Sequence, residues 1–236
     1  GFPESFLAND SEQSVLWREN FIRTYLERDI PQLGPRIASE TLRRFWTMLA
    51  HLQGGLLNTA QIARGLSVNG STVARYLDLM VDLLLVRRLM PWHSNIGKRL
   101  VKSPKVFVRD SGLTHALLGI RNNEDLLGHP IVGMSWEAMV IENIASVIPE
   151  GTNMSFYRTA AGAEIDLLLA LPNNQLWAIE IKRGVSPKIE KGFHLACEDM
   201  KPTQRFVVYS GQERYPLKTN IDAISLPELL TVLQEI

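Results

Sequence analysis

GAEIDLLLALPNNQLWAIEIKRG, residues 162–184, is the stretch on which the reading of this chain turns. Two aliphatic runs, 163–171 and 175–183, flank Pro172, Asn173 and Asn174, a cluster of turn-forming residues, and so read as paired strands. Each run carries charges that packing alone would not select: Glu164 and Asp166 in the first, Glu180 and Lys182 in the second. Side chains alternate faces along a strand, so Glu164, Asp166 and Leu168 share one face of their strand, as do Ala178, Glu180 and Lys182 of theirs. Whether the two sets meet depends on the turn. A three-residue loop places Asp166 opposite Glu180 and Glu164 opposite Lys182, all on one face, whereas a two-residue loop sends Asp166 and Glu180 to opposite faces.

Two carboxylates about 5 Å apart across a sheet repel, and a divalent cation between them relieves the repulsion. Lys182 would then hold or activate a cation-bound water while the cation neutralises charge on a phosphodiester. The competing reading is a cross-strand ion pair, Glu164 with Lys182, at a strand edge, where such pairs are common and contribute little. The Leu and Ile flanks imply burial, in which an unpaired charge is costly, and favour the cation site.

Around this hairpin the pattern predicts a helix over 135–148, strands over 154–159, 163–171 and 175–183, a helix over 187–200 and a strand over 204–210. A short strand near Ile224 follows, then a last helix opened by the capping box Ser225 to Glu228. That order makes the fold class α/β (α+β), a mixed sheet flanked by helices, over 135–236. A polar linker, 119–134, precedes it.

Upstream, Trp17, Phe21 and Tyr25 recur four apart in a helix from Ser11 to about Asp29 that Pro31 ends, within a helical segment 1–38. Residues 39–118 read as a winged helix-turn-helix. A helix over 40–52 stops at Gly54-Gly55; Asn58 caps a short helix bearing Ile62, Ala63 and Leu66; SVNG turns into a long helix capped by Ser71. That long helix lines up Val73, Leu77, Val81, Leu84 and Leu85. The stretch from Arg87 to Arg109 then reads as the wing hairpin. It holds seven basic residues, Lys105 among them, and no acidic one, which leaves 18 basic against 25 acidic groups elsewhere. A local positive surface is what a phosphate backbone attracts. Ser71, Thr72, Arg75 and Tyr76 are the expected groove-facing residues and Lys98, Arg99 and Lys102 the expected phosphate contacts.

Composition narrows the function classes. With 236 residues, 45% hydrophobic, and Lys+Arg and Asp+Glu at 25 each, the chain is an ordinary globular protein without a global charge bias. Its single cysteine, Cys197, leaves no intramolecular disulfide or thiolate cluster, and a reducing, cytoplasmic setting is the expectation. The apolar stretches are interrupted by Asp78, Asp82 and Glu142, so no membrane partner is expected. The five histidines show no ligand spacing, and no nucleophile elbow supports a Ser-His-Asp hydrolase.

GAEID, an EIK at 180–182, and a preceding helix of the form G-x-x-x-E, Gly133 to Glu137, together resemble the PD-(D/E)XK nuclease superfamily, particularly archaeal-type Holliday-junction resolvases. The resemblance implies that Glu137, Asp166 and Glu180 hold magnesium or manganese and that Lys182 assists the attacking water on DNA. No proline precedes Asp166, a departure from the superfamily pattern. GFPE, WRENFIRTYLERDI, KSPKVFVRDSGL and GAEIDLLL with IEIK also resemble, nearly end to end, prokaryotic AAA-type ATPases whose C-terminal half is the domain of unknown function 4143. That likeness implies ATP bound only by a domain not in this chain and a partner ATPase domain in the same polypeptide; a homo-oligomer is the expectation for an enzyme that cuts two strands. The nearest phosphate-loop match, Gly65 to Gly70 with Ser71-Thr72, lacks the lysine, so the chain itself is expected to bind no nucleotide. The alternative to a nuclease is a catalytically silent, ATP-regulated DNA-binding or protein-interaction switch.

Overall fold

The computed structural model describes residues 2–33, 37–92 and 99–236. It has the helical N-terminal part and the mixed, helix-flanked C-terminal sheet that the pattern predicts. The chain divides into two compact units, Gly1–Arg88 with Val106–Ala138 and Leu89–Lys105 with Met139–Ile236.

In the first unit, α1 (Pro3–Phe6) and α2 (Ser11–Thr24) open the chain, and Asp10 caps α2 by accepting the Gln13 N–H. Trp17, Phe21 and Tyr25 stack in sequence with ring centroids 5.2 Å apart, while Val15, Ile22 and Leu26 are buried. Pro31 does not end the helix as expected. The backbone widens into a π turn over Tyr25–Asp29, with the Ile30 N–H reaching back to Tyr25 O, and Pro31 falls in the first turn of α3 (Ile30–Gln32), where no amide hydrogen is needed.

The helix-turn-helix pattern is formed by α4 (Ser39–His51), α5 (Thr59–Leu66) and α6 (Gly70–Asp82). Leu42, Phe45, Trp46 and Leu49 of α4 pack with Ile62, Ala63 and Leu66 of α5 and Val73, Leu77 and Met80 of α6. Asn58 caps α5 as expected, but Asn69 rather than Ser71 caps α6: Asn69 Oδ1 accepts both the Thr72 N–H and the Ser71 hydroxyl, at 2.8 Å each. Leu84, expected on the apolar stripe, instead sits at φ +58° in the turn that leads to β1 (Val86–Leu89), and is exposed. Strand β1 pairs with β2 (Lys105–Val108) in a two-stranded sheet. Helices α7 (Ser111–Leu117), α8 (Asn123–Leu127) and α9 (Val132–Val147) follow, so the expected linker 119–134 holds a capped helix and the start of another.

The second unit is a six-stranded sheet in the order β3-β4-β5-β6-β8-β7. Its strands are β3 (Asn153–Arg158), β4 (Glu164–Ala170), β5 (Leu176–Ile181), β6 (Gln204–Tyr209), β7 (Tyr215–Lys218) and β8 (Ile221–Ser225). The first three run antiparallel; β5, β6 and β8 are parallel, with α10 (Lys191–Met200) as the β5 to β6 crossover. Phe193, Ala196 and Cys197 of α10 bury against Leu168, Ala178 and Val207. Helix α11 (Leu226–Gln234), capped by Ser225, ends the chain. Strand β7 escaped the pattern because it is a short edge strand with Pro216 in it, a residue sheets admit only where a ladder hydrogen bond is not required.

The segment Leu89–Lys105, assigned from the sequence to the wing, belongs with this second unit. Its arms lie along the outer edge of β3. The Trp92 N–H donates to Phe156 O at 2.7 Å and the Phe156 N–H to Met90 O at 3.1 Å; farther along, the Val101 N–H donates to Arg158 O and the Ala160 N–H to Arg99 O, at 3.0 Å each. An open strand edge carries unpaired backbone groups, and satisfying them outweighs a free-standing wing.

Leu77 is 2% exposed in the helix-turn-helix core. Leu77→Ala should destabilise the first unit by about 2–5 kcal/mol, read as faster hydrogen exchange of the α4 to α6 amides; unchanged protection would refute the packing described.

Candidate functional site

The β4–β5 hairpin closes through Pro172, Asn173 and Asn174. The Leu171 N–H donates to Gln175 O at 2.9 Å and the Asn174 N–H to Leu171 O at 3.1 Å, and Asn174 sits at φ +62°, the left-handed residue that a three-residue loop needs. The ladder pairs Leu169 with Trp177, Leu168 with Ala178 and Leu167 with Ile179. Carried one residue further, this register sets Asp166 opposite Glu180 on the Leu168 and Ala178 face, as the three-residue loop requires. The regular ladder stops there because a side chain replaces a carbonyl: Asp166 Oδ2 accepts the Ile181 N–H at 2.9 Å.

Lys182 Nζ lies 2.9 Å from Glu180 Oε1 and 3.6 Å from Glu190 Oε1. The ion pair of Lys182 with Glu164, the competing expectation, is replaced by a different one. Lys105 Nζ lies 3.1 Å from Glu164 Oε1 and 3.7 Å from Asp166 Oδ1, and 5.5 Å from the centroid of the Phe156 ring. Arg158 Nε approaches Glu164 Oε2 at 3.5 Å. Lys105 was counted from the sequence among the basic surface residues, yet its side chain is only 5% exposed. Its signal was a lone lysine heading the apolar run KVFV, all four residues of which are buried.

Burial and the facing Asp166 carboxylate raise the Glu180 pKa to about 8, against the pull of Lys182. For Lys182, burial acts to lower the pKa, and Glu180, Asp166 and Glu190 overcome it, so the ammonium is held above its ordinary value. Two carboxylates that resist joint ionisation are, by their chemistry, the hard-oxygen donors that a divalent cation takes. Among the described residues, no group of three or more His, Cys, Asp or Glu stands ready to hold a metal ion.

Glu137 lies on α9 in the stretch belonging to the first unit, 8% exposed, its carboxylate close to the Gly54 backbone. Of the expected DNA contacts in that unit, Ser71 and Arg75 are exposed and Thr72 is half-buried; Tyr76 turns its ring toward the core, 5.8 Å from Phe45, and so is not groove-facing along its length. In the second unit Arg99 and Lys102 are exposed, and Lys98 lies outside the described residues. Arg88, counted in the same basic stretch, is paired with Asp78. The charge available to a phosphate backbone is therefore smaller than the sequence count.

His115 Nε2 lies 2.8 Å from Ser135 Oγ, a Ser-His pairing among the described residues. Burial, reinforced by Arg18, lowers the His115 pKa to about 4, and Ser135 is 4% exposed. The oxygens of nearby Asp110 accept the Leu113 and Phe2 N–H groups. A neutral imidazole bonded to a buried hydroxyl ties α7 to α9; it does not present a nucleophile to a substrate.

Residues 1–124 match the domain of unknown function DUF8612. The chain belongs to that family. Residues 132–229 match a second domain of unknown function, DUF4143, which spans the hairpin and its sheet. The uncharacterized proteins Mb2031c of Mycobacterium bovis and Rv2008c of Mycobacterium tuberculosis are each 42% identical over 231 residues, 98% of this DUF8612 chain and 52% of theirs. The chain thus spans about half the length of the curated relatives it matches. No solved structure matches it. Among the described residues, no helix is long and apolar enough to cross a membrane.

Because the Glu180 pKa is near 8 in the fold, against an ordinary 4.5, the folded chain holds a proton between those values that the unfolded chain releases. Its contribution to stability is complete below about pH 4.5 and is lost as pH rises to about 8, at up to about 1.4 kcal/mol per pH unit. Thermal unfolding from pH 5 to 8 should show this decline, and Glu180→Gln should flatten it; equal slopes in the two proteins would refute the assignment.

Proposed function

We propose that the DUF4143 part of this chain is a divalent-cation-dependent phosphodiesterase of the PD-(D/E)XK kind, acting on DNA. The observation that carries this reading is the meeting of Asp166, Glu180 and Lys182 on one sheet face, with the proton affinity of Glu180 raised by burial and then by Asp166. Asp166 and Glu180 are the residues that would hold magnesium or manganese. When bound, the cation supplies Lewis-acid stabilisation of the phosphodiester and a more acidic water. The Ile181 N–H holds the Asp166 carboxylate in place, and α10 covers the same face beside it. Lys182 stays protonated in the neutral range, which suits it to orient the attacking water and to stabilise charge gathering on phosphate oxygens. Glu137 takes a ligand role by the superfamily resemblance alone. The AAA-type ATPase context, the homo-oligomer and the DNA contacts of Arg75, Arg99 and Lys102 are parts of the same proposal.

A second reading keeps the fold without the chemistry: a DNA-binding or protein-interaction switch. The observation in its favour is that Asp166 and Glu180 each already face an ammonium group, from Lys105 and Lys182.

The deciding experiment is cleavage of labelled linear, single-stranded and four-way-junction DNA with magnesium or manganese. Wild type should cut at least one substrate, and Asp166→Asn, which keeps an acceptor for the Ile181 N–H, and Lys182→Ala should each lose at least about a hundredfold in rate. DNA bound but uncut by wild type would favour the switch. In binding isotherms, Arg75→Ala should weaken duplex affinity, and Lys102→Ala should reduce the salt slope by about 1; isotherms identical to wild type would remove both residues from the interface.

A further inference from the structure

Lys105 is the cation of this cluster that comes from outside the six-stranded sheet, at the head of β2. It is 5% exposed, and an ammonium at that depth is tolerated only when carboxylates balance it. Glu164, at 3.1 Å, is its firmer partner and Asp166, at 3.7 Å, the looser one. The atom it faces on Asp166 matters. Oδ2 already accepts the Ile181 N–H, so Oδ1 is the less encumbered oxygen for a cation, and Oδ1 is where Lys105 stands. Glu164, Asp166, Glu180 and Glu190 face Lys105, Arg158 and Lys182, so each carboxylate of the cluster has a cationic side chain beside it without any metal.

We propose that Lys105 is the resident counter-cation of this site and competes with a divalent cation for Asp166 Oδ1, setting the affinity at which the site loads. The proposal rests on the reading of Asp166 and Glu180 as cation ligands. A divalent ion settling on Oδ1 meets the Lys105 charge at contact range and must push the ammonium back onto Glu164. Removing Lys105 therefore tightens cation binding. A purely structural Lys105 would affect folding and leave cation affinity unchanged.

Calorimetric titration of the 236-residue chain with manganese chloride at pH 7.5 tests this. Lys105→Met should bind manganese at least about tenfold more tightly than wild type, and Asp166→Asn added to it should abolish the gain. Because Lys105→Met leaves Glu164 without its closest cation, the double variant Lys105→Met with Glu164→Gln guards against misfolding; it removes the ion pair as a pair and should still bind more tightly than wild type. Binding by Lys105→Met with none by wild type would support the proposal in its strongest form. If wild type binds manganese and both folded variants bind it equally or more weakly, the role of Lys105 is refuted while the cation site stands. If none of the proteins binds manganese, the proposal and the cation-site reading fail together.

Discussion

The register of the β4–β5 hairpin is the constraint on which the site depends. Strand side chains alternate with period two, so one residue more or fewer between Leu171 and Gln175 would turn either Asp166 or Glu180 to the far face. The loop holds its length through Asn174, which accepts a left-handed backbone, and through Asn173 Oδ1, which accepts the Gln175 N–H at 3.1 Å. From that turn follow the facing carboxylates, the raised proton affinity of Glu180 and the place of Lys182 beside it.

A second constraint, the open edge of β3, shapes the rest. Chain from 90–92 and 99–101 covers that edge with backbone hydrogen bonds, and the return leg of the same excursion carries Lys105 into the carboxylates. One topological device thus performs two tasks. It removes a row of unpaired backbone groups and sets a buried cation against the half-buried Glu164 and Asp166. A segment rich in lysine and arginine need not be a solvated wing: Lys105 is internal, Arg88 is paired with Asp78, and Arg99 and Lys102 are exposed.

Much of the fold was legible because its signals are local. Apolar spacing marked α2, α4, α5 and α6; Asn58 and Ser225 announced helix starts; the aliphatic runs around Pro172 marked β4 and β5. What escaped had competing local chemistry. Ser71 and Asn69 are both good caps, and the choice between them depends on which side chain reaches the Thr72 N–H. Pro31 is a helix breaker only where its missing amide hydrogen matters, and a π turn made it harmless. Tyr76 reads as a groove residue by position and as a core residue by its contact with Phe45.

By itself, the sequence determined the composition of the site, Asp166, Glu180 and Lys182 on two strands around a turn, because period-two alternation and turn chemistry are written in consecutive residues. It left the loop length open between two and three residues, and so left open whether the carboxylates meet. Only the tertiary structure decided that they do, and that Lys105, 61 positions before Asp166, joins them. The physical reason is that a buried charge selects its partner by proximity in space, and the edge of β3, rather than any local pattern around Lys105, determines where that lysine ends.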